Sequence, residues 1–322
     1  MKALAYEKAH PLEAFALELV DVDEPQLQRN DLLIDVRAVG VNPGEATIRQ
    51  MRSAPPGGRV ILGWEFAGVV AGTGPATEGF AVGDRVIGTG DVTRDGCWAE
   101  RVAVDHRVVA RIPDQLSFAD AASLPIGGLT AWEALFRDQS GLPAGVENVL
   151  VVGGAGGVGS LATQLLKSTT SALVVSTASR PESREWCTAM GADLVVDHTA
   201  DVAGQLRTAG VDRIDLVLST RGTAANISWI ADVLRPFGHV ATTDLTGATD
   251  IEPLIQKSIS LHTEMVFSRL VADQGQIFAE LASRVRPIVT TELHGLTVDS
   301  MREAHRIAES GRAIGKTVIT EP

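Results

Sequence analysis

The glycine-rich segment 149–160 restricts what this chain can fold into more than any other stretch. An apolar run at 149–152 leads into the glycines, and a helix-forming stretch at 160–167 follows. Gly154, Gly156 and Gly159 have the spacing G-x-G-x-x-G. Between a strand and a helix, this spacing is typical of a tight turn at which a helix N-terminus receives the pyrophosphate of a dinucleotide. The sequence therefore predicts a strand–turn–helix that binds a dinucleotide.

The stretch around this turn repeats the same alternation. Apolar runs at 173–176, 194–197, 214–218 and 239–242 are separated by helical segments. Strands without polar alternation, divided by amphipathic helices, indicate a parallel sheet covered on both faces. We expect an α/β fold with a doubly wound parallel-sheet domain over residues 119–283.

The zones on either side of this stretch have different sequence patterns. Residues 1–118 hold short β-favouring runs punctuated by glycine and proline, which predicts an all-β zone. Residues 284–322 contain one helical stretch, 300–310, and a closing strand, 316–319. That tail is too short to fold alone, so we expect it to complete the first domain. The length of 322 residues agrees with two domains.

Charge and cysteine content exclude several classes of protein. With 40 acidic and 28 basic residues the net charge is −12, which opposes binding to nucleic acids and anionic membranes. Two cysteines, Cys97 and Cys187, cannot form a disulfide framework. No run approaches the roughly 18 apolar residues of a membrane span, and no signal peptide is recognised. We expect a soluble, cytoplasmic protein.

The end of the second predicted strand indicates which dinucleotide is bound. An NAD site usually has a carboxylate there, about 20 residues after the glycines, to hold the ribose 2′-hydroxyl. Residues 176–181 contain none, and Ser179 and Arg180 stand where a 2′-phosphate would lie. A guanidinium binds phosphate through paired, charge-assisted hydrogen bonds. We therefore predict NADPH rather than NADH; the alternative is that Arg180 is an ordinary solvated charge.

Spaced segments over nearly the whole chain resemble the medium-chain dehydrogenase/reductase superfamily. They lie at residues 38–43, 62–70, 79–86, 121–125, 128–132 and 311–318. They are most similar to the quinone oxidoreductase branch, and within it to a bacterial subgroup often labelled zinc-type alcohol dehydrogenase-like. The resemblance implies a GroES-like domain at 1–118, completed by 284–322, a Rossmann domain at 119–283, and a homodimer.

The zinc in that label does not agree with the residues. Zinc-dependent relatives carry a cysteine near the position of Asn42 and Pro43, and a Gly-His-Glu segment that is here Gly63-Trp64-Glu65. The four cysteines of a structural zinc site are also missing, so we predict no metal. Without a Lewis acid, an acceptor that is already electrophilic is favoured, such as a quinone or an α,β-unsaturated carbonyl.

The resemblance also implies roles for individual residues. Asn42 and Thr130 would reach the nicotinamide end, and Trp64 would wall an apolar substrate pocket. A turn-forming Asn, a helix-start Thr and a core Trp are the structural alternatives. The predicted cofactor contacts are Asn42, Thr130, Gly154, Gly156, Gly157, Val158, Ser179, Arg180, His198, Thr243, Phe267 and Arg269.

The proton donor stays open. Enoyl-thioester reductases of the superfamily tend to use a tyrosine soon after the Asn-Pro segment, whereas the single tyrosine here is Tyr6. The remaining sources are Glu45, Thr47, Arg49 and water. We expect an NADPH-dependent reductase that binds a small electrophile in the cleft between the domains and dimerises through an edge strand near 260–267. The alternative is an NADPH-binding sensor with little catalysis.

Overall fold

The architecture is that of a computed structural model. It describes residues 1–137, 141–245, 247–268 and 274–321. The chain divides into two compact units. The first comprises Met1–Ile126, Phe267–Ser283 and Pro287–Pro322, and the second comprises Gly127–Val266 and Arg284–Arg286. No helix in the described ranges combines the length and the apolar character needed to cross a bilayer.

The strands within the described residues are numbered in chain order. They are β1 Lys2–Tyr6, β2 Glu18–Asp21, β3 Asp31–Val41, β4 Val60–Ile61, β5 Glu65–Thr73, β6 Arg85–Thr89, β7 Arg101–Asp105, β8 Val109–Arg111, β9 Asn148–Val152, β10 Leu173–Thr177, β11 Leu194–Val196, β12 Ile214–Ser219, β13 Leu234–Thr242, β14 Ser260–Thr263, β15 Val289–His294 and β16 Lys316–Thr320.

The α-helices follow the same numbering. They are α1 Pro43–Met51, α2 Phe118–Ala122, α3 Pro125–Phe136, α4 Gly157–Thr169, α5 Pro181–Ala189, α6 Val202–Thr208, α7 Thr223–Val233, α8 Glu252–Ile255, α9 Gln274–Arg284 and α10 Val298–Glu309. Short 3₁₀ turns occur at Leu12–Ala14, His106–Val108 and Val266–Ser268.

The second unit contains one six-stranded parallel sheet in the order β11-β10-β9-β12-β13-β14. This is the doubly wound order in which the strand that precedes the glycine turn lies at the point where the winding reverses. Leu150, Val175, Val217 and Val240, one from each of the four central strands, have no exposed surface. Burial on both faces explains why these strands lack polar alternation. The predicted doubly wound α/β fold is confirmed.

The first unit contains a seven-stranded mixed sheet and a smaller three-stranded one. The larger sheet has the order β15-β16-β3-β5-β6-β8, with β7 also pairing with β3. Strand β16, near the end of the chain, runs antiparallel to β3 with Thr317 beside Val41. The smaller sheet is β2-β1-β4. The β-rich first domain of the predicted fold class is thus present.

Two local predictions were wrong. The all-β zone contains the helix α1, for which Pro43 at the first position and Glu45 at the third are favourable residues. The Glu45 side chain accepts a hydrogen bond from the backbone N–H of Asn42, the residue before the helix, at 2.5 Å. The predicted strand near 260–267 ends at Thr263, because a 3₁₀ turn occupies Val266–Ser268.

A buried histidine lies in the core of the first unit. His305 on α10 has no exposed surface, and its ring packs edge-on against Trp98 and Phe15 at centroid distances of 5.3 and 5.5 Å. Burial, together with the Arg49 and His10 charges, lowers the pKa of His305 to about 3. The Glu309 carboxylate, 3.8 Å from Nδ1, does not offset this. The ring is therefore neutral in the folded protein.

We expect His305 to make the protein sensitive to acid. The pKa of His305 is lower in the folded than in the unfolded state. The free energy of unfolding is therefore unaffected by this group above about pH 6.5 and decreases as the pH falls toward 3. At pH 5 the loss is about 2 kcal/mol. His305→Phe, which keeps the ring contacts, should flatten the dependence of the unfolding free energy on pH, measured by urea titration. The exposed His198→Gln is the control. An equally steep loss in His305→Phe would contradict this account.

Candidate functional site

The predicted glycine turn joins the carboxyl end of β9 to the N-terminus of α4. Gly154 faces the neighbouring strand, where an added Cβ would lie 2.6 Å from Cβ of Ser176 and 3.1 Å from Sγ of Cys187. The fold itself thus requires glycine at 154. Gly156 is different, because the nearest atom to an added Cβ is the carbonyl oxygen of Gly153 at an ordinary 3.5 Å. Its backbone is extended, with φ −75° and ψ 174°, so packing does not require glycine at 156.

Two helix N-termini at the carboxyl ends of strands in this sheet are electrostatically distinct. At α7 the Asp244 carboxylate accepts hydrogen bonds from the backbone N–H groups of Gly222 and Thr223 and from the Thr223 hydroxyl. At α4 the capping residue is Gly156, which has no side chain, and the first turn holds no acidic residue. The partial positive charge of α4 is therefore not neutralised by a carboxylate of its own first turn or cap, which suits it to hold an anionic group.

The end of β10 lies beside this turn. The Thr177 hydroxyl oxygen accepts a hydrogen bond from the Gly153 N–H at 3.1 Å, which ties the strand end to the glycines. Ser179 and Arg180 follow and are half-buried. Nη1 of Arg180 forms an ion pair with Oε1 of Glu182 at 3.1 Å. A hydroxyl and a guanidinium therefore follow this strand, where an NAD site would have a carboxylate.

The other predicted residues of the second unit occupy different surroundings. Thr130 is buried on α3, one turn after Gly127, at which an added Cβ would lie 3.5 Å from the carbonyl carbon of Gly157 at the start of α4. Val158 belongs to the first turn of α4. The backbone N–H of Thr243 donates to the carbonyl oxygen of Ser219 at 3.2 Å. His198 is exposed in the loop after β11, and Arg269 lies outside the described residues.

In the first unit, Asn42, Trp64 and Phe267 are brought together. Trp64 is 2% exposed, and its ring meets that of Phe267 edge-on at 5.8 Å. The Arg52 guanidinium lies 5.7 Å from the Trp64 ring centre. The backbone N–H of Trp64 is 3.4 Å from Oε1 of Glu45, whose other oxygen is bound to Asn42. Trp64 is thus almost fully covered by protein.

Sequence reasoning missed a group of buried charges around Asn42. Glu65 and Lys316 are 0% and 5% exposed and form a close ion pair. Both bind the Asn42 side chain, Lys316 at Oδ1 and Glu65 at Nδ2. The available signals were the glutamate after Trp64 and the lysine at the start of the closing strand. Neither indicates burial, because the partners are 23 and 274 positions from Asn42.

The side chains that the sequence leaves as possible proton donors differ in their exposure. The Thr47 hydroxyl is exposed and donates to the Pro43 carbonyl oxygen at 3.3 Å. Arg49 is fully buried and bound to Glu309 at 2.8 Å, so it cannot meet a substrate directly. Burial, together with the nearby Glu65 carboxylate, raises the pKa of Glu45 to about 7, while the Asn42 N–H and Lys316 oppose the shift. Glu45 therefore ionises near neutral pH, but at 2% exposure it cannot meet a substrate directly any more than Arg49 can.

Known proteins match the chain over nearly its full length. Residues 28–114 match the family model described as "Alcohol dehydrogenase GroES-like domain", and residues 157–283 match "Zinc-binding dehydrogenase". A "Zinc-type alcohol dehydrogenase-like protein" of Staphylococcus aureus is 32% identical over 99% of both chains. The chain belongs to the medium-chain dehydrogenase/reductase superfamily. It has the fold of a pyridine-nucleotide-dependent oxidoreductase.

Further relatives are similar to this chain in structure or in sequence. A putative zinc-dependent alcohol dehydrogenase of Rhizobium etli superimposes with a TM-score of 0.94 at 35% identity, covering 99% of this chain and 98% of that one. A quinone oxidoreductase of Coxiella burnetii has a TM-score of 0.81 at 26% identity, with 99% of both chains covered. A chloroplastic "NADPH-dependent alkenal/one oxidoreductase" of Arabidopsis thaliana is 29% identical over 99% of this chain and 79% of its own.

The zinc named in several of these descriptions does not fit the residues of this superfamily member. Within the described ranges, no three side chains of His, Cys, Asp or Glu form a group that could hold a metal. Trp64 stands where the resemblance implies a ligand histidine, and the implied cysteine lies near Asn42, whose Oδ1 accepts from the Lys316 ammonium at 2.5 Å. The ammonium already occupies that oxygen, and neither an indole nor an amide is among the usual ligands of zinc.

Proposed function

We propose that this oxidoreductase transfers hydride from NADPH to a quinone or an α,β-unsaturated carbonyl without using zinc. The observation that carries the proposal is the end of β10, where Ser179 and Arg180 follow the strand beside a glycine turn. Two further observations support the proposal: no carboxylate occupies the cap or first turn of α4, and the Asn42 region does not suit a metal.

The two ends of the dinucleotide site support NADPH in different ways. Gly156 has space for a side chain that packing would tolerate, which is expected where the backbone must approach a pyrophosphate. The α4 N-terminus would then stabilise the phosphate charge. Arg180 would bind the 2′-phosphate, for which it would exchange or share its ion pair with Glu182. The Arabidopsis relative is named for NADPH dependence, in agreement with this choice.

The substrate class follows from what the chain offers at Asn42. A simple alcohol must lose a proton as it is oxidised, and a metal usually lowers its pKa for that step. A quinone or enone accepts hydride directly and delocalises the resulting charge onto oxygen. NADPH, when bound, supplies the hydride, and the protein has to position the acceptor and exclude water. The names of the Coxiella and Arabidopsis relatives point to the same two classes of acceptor.

The proposal is tested by measuring oxidation of NADPH and of NADH with a panel of quinones, enones and aldehydes, before and after dialysis against a chelator. We expect turnover of quinones or enones with NADPH, a lower KM for NADPH than for NADH, and no effect of the chelator. Turnover of simple aldehydes alone, and only with added zinc, would overturn the proposal. Tight NADPH binding without turnover of any acceptor would favour the sensor function instead.

We also propose that the protein forms a homodimer through β14. This strand is at one end of the six-stranded sheet and pairs with β13 on one side only, within the described residues. A free edge offers N–H and C=O groups to a second strand. Light scattering at micromolar concentration should give twice the chain mass of 33.9 kDa. Leu261→Pro, which removes a backbone donor in the middle of the strand, should give monomers; a monomeric mass for the unaltered chain would refute the dimer.

A further inference from the structure

Three ionisable side chains from separate parts of the first unit converge on Asn42. Glu45 lies on α1, Glu65 on β5 and Lys316 on β16. They are 2%, 0% and 5% exposed, so they have been withdrawn from water almost completely. Burying charges is costly unless each one has a partner. Such an arrangement therefore needs a reason beyond packing, and the contacts of Asn42 supply one.

The Asn42 side-chain amide is held at both ends. Lys316 Nζ donates to Oδ1 at 2.5 Å, while Nδ2 donates to Oε2 of Glu65 at 2.9 Å. Rotating the amide by 180° would place its NH₂ group against the ammonium and its oxygen against the carboxylate. Both contacts would then be repulsive, so the ion pair permits a single orientation. One N–H of the amide is left for another partner in a fixed direction.

The backbone at Asn42 and the Glu65 carboxylate are held as well. The Asn42 N–H donates to Oε2 of Glu45 at 2.5 Å, and Oε1 of the same group faces the Trp64 N–H. The second oxygen of Glu65 accepts from the Ile126 N–H at 2.9 Å. Neither carboxylate can rotate without losing a hydrogen bond. Asn42 is half-buried, so its remaining amide capacity can still reach a ligand.

We propose that Glu65 and Lys316 are positioning residues, which hold the Asn42 amide in a single orientation that the reaction requires, while Glu45 fixes its backbone. This inference rests on the proposed NADPH-dependent function. Lys316 then acts by orienting Asn42, and neither Lys316 nor Glu65 needs to contact the substrate.

A double-mutant cycle tests the inference. Asn42→Ala and Lys316→Met should each lower kcat/KM by about tenfold, and the double variant should lose less than about twofold more than Asn42→Ala alone. The same cycle is measured on the dissociation constant of NADPH, which does not depend on finding an acceptor. Losses that multiply would show that Lys316 acts independently of Asn42 and would overturn the inference. Lys167→Met, at an exposed ion pair with Asp193, is the matched control and should change neither quantity.

Two additions keep the test decisive. Lys316→Met leaves the Glu65 charge buried and could unfold the protein, so the cycle is repeated with Glu65→Gln/Lys316→Met, which removes both charges. Adding Asn42→Ala to this pair should again cost less than about twofold more in kcat/KM than Asn42→Ala alone.

Activity is also followed against pH. Because Glu45 ionises near pH 7 and then binds the Asn42 N–H more strongly, kcat/KM should rise through about pH 7 and become flat in Glu45→Gln. An unchanged profile in Glu45→Gln would contradict its role.

The failure of this inference can be told apart from the failure of the proposed function. If the unaltered protein binds no NADPH, the proposed function fails and takes the role of the amide with it. If NADPH binds and the two substitutions prove independent, the proposed function stands and the positioning role of Lys316 is wrong.

Discussion

Gly156→Asp should weaken NADPH binding by about 1,000-fold without unfolding the protein. Position 156 has room for a side chain and an extended backbone, and aspartate is a favourable residue before a helix. Its carboxylate would cap α4 as Asp244 caps α7, and would meet the pyrophosphate there. Like charges about 4 Å apart repel by about 4 kcal/mol at an effective dielectric constant near 20, which corresponds to roughly 1,000-fold in affinity. Fluorescence titration gives the affinity, and thermal melting reports the fold.

The control separates the local effect from the change in net charge. Gly141 lies in the same unit, has nothing within 4 Å of an added Cβ, and does not have a left-handed backbone. Gly141→Asp should therefore leave NADPH affinity unchanged. Gly154→Ala should instead lower the melting temperature, because its methyl would collide with Ser176. If Gly156→Asp bound NADPH as tightly as the unaltered protein, the pyrophosphate would not lie at α4.

Arg180→Ala should raise KM for NADPH by about 10-fold to 100-fold and leave KM for NADH nearly unchanged. Hydrogen bonds to charged groups contribute roughly 1.5–3 kcal/mol, and the 2′-phosphate is present only in NADPH. Steady-state kinetics with both cofactors and one acceptor measure the two constants. Glu182→Gln is the matched variant, since it keeps the shape of the ion-pair partner and removes its charge. It should lower KM for NADPH or leave it unchanged.

The comparison between cofactors decides this prediction. Equal losses with NADPH and NADH after Arg180→Ala would show that the arginine supports the loop rather than the 2′-phosphate. An unchanged KM for both cofactors would indicate that Arg180 is an ordinary solvated charge. In both cases the preference for NADPH would have to come from elsewhere in the second unit.

Much of the second unit could be predicted because its signals are local. The strand before Gly154, the helical stretch after Gly159 and the later apolar runs can each be recognised from a stretch of about 20 residues or fewer. The helix α1 was missed although its signal is also local: Pro43 and Glu45 stand at favourable helix positions directly after Asn42. The β-favouring runs on either side outweighed it. The end of β14 at Thr263 could not be predicted, since the apolar residues after it suit a strand equally well.

The sequence by itself determined the doubly wound sheet, the glycine turn and the side chains that stand at positions 42 and 64, since each depends on which residues follow one another. Only the tertiary structure decided how Asn42 is held. Glu65 and Lys316 lie far apart in the chain and meet because β3 pairs with β5 on one side and β16 on the other. That pairing buries both charges beside Asn42, and the pKa of Glu45 on α1 is raised chiefly by the burial of its own carboxyl group. Charge and burial at a site depend on what surrounds a residue in space, which neighbours in sequence do not specify.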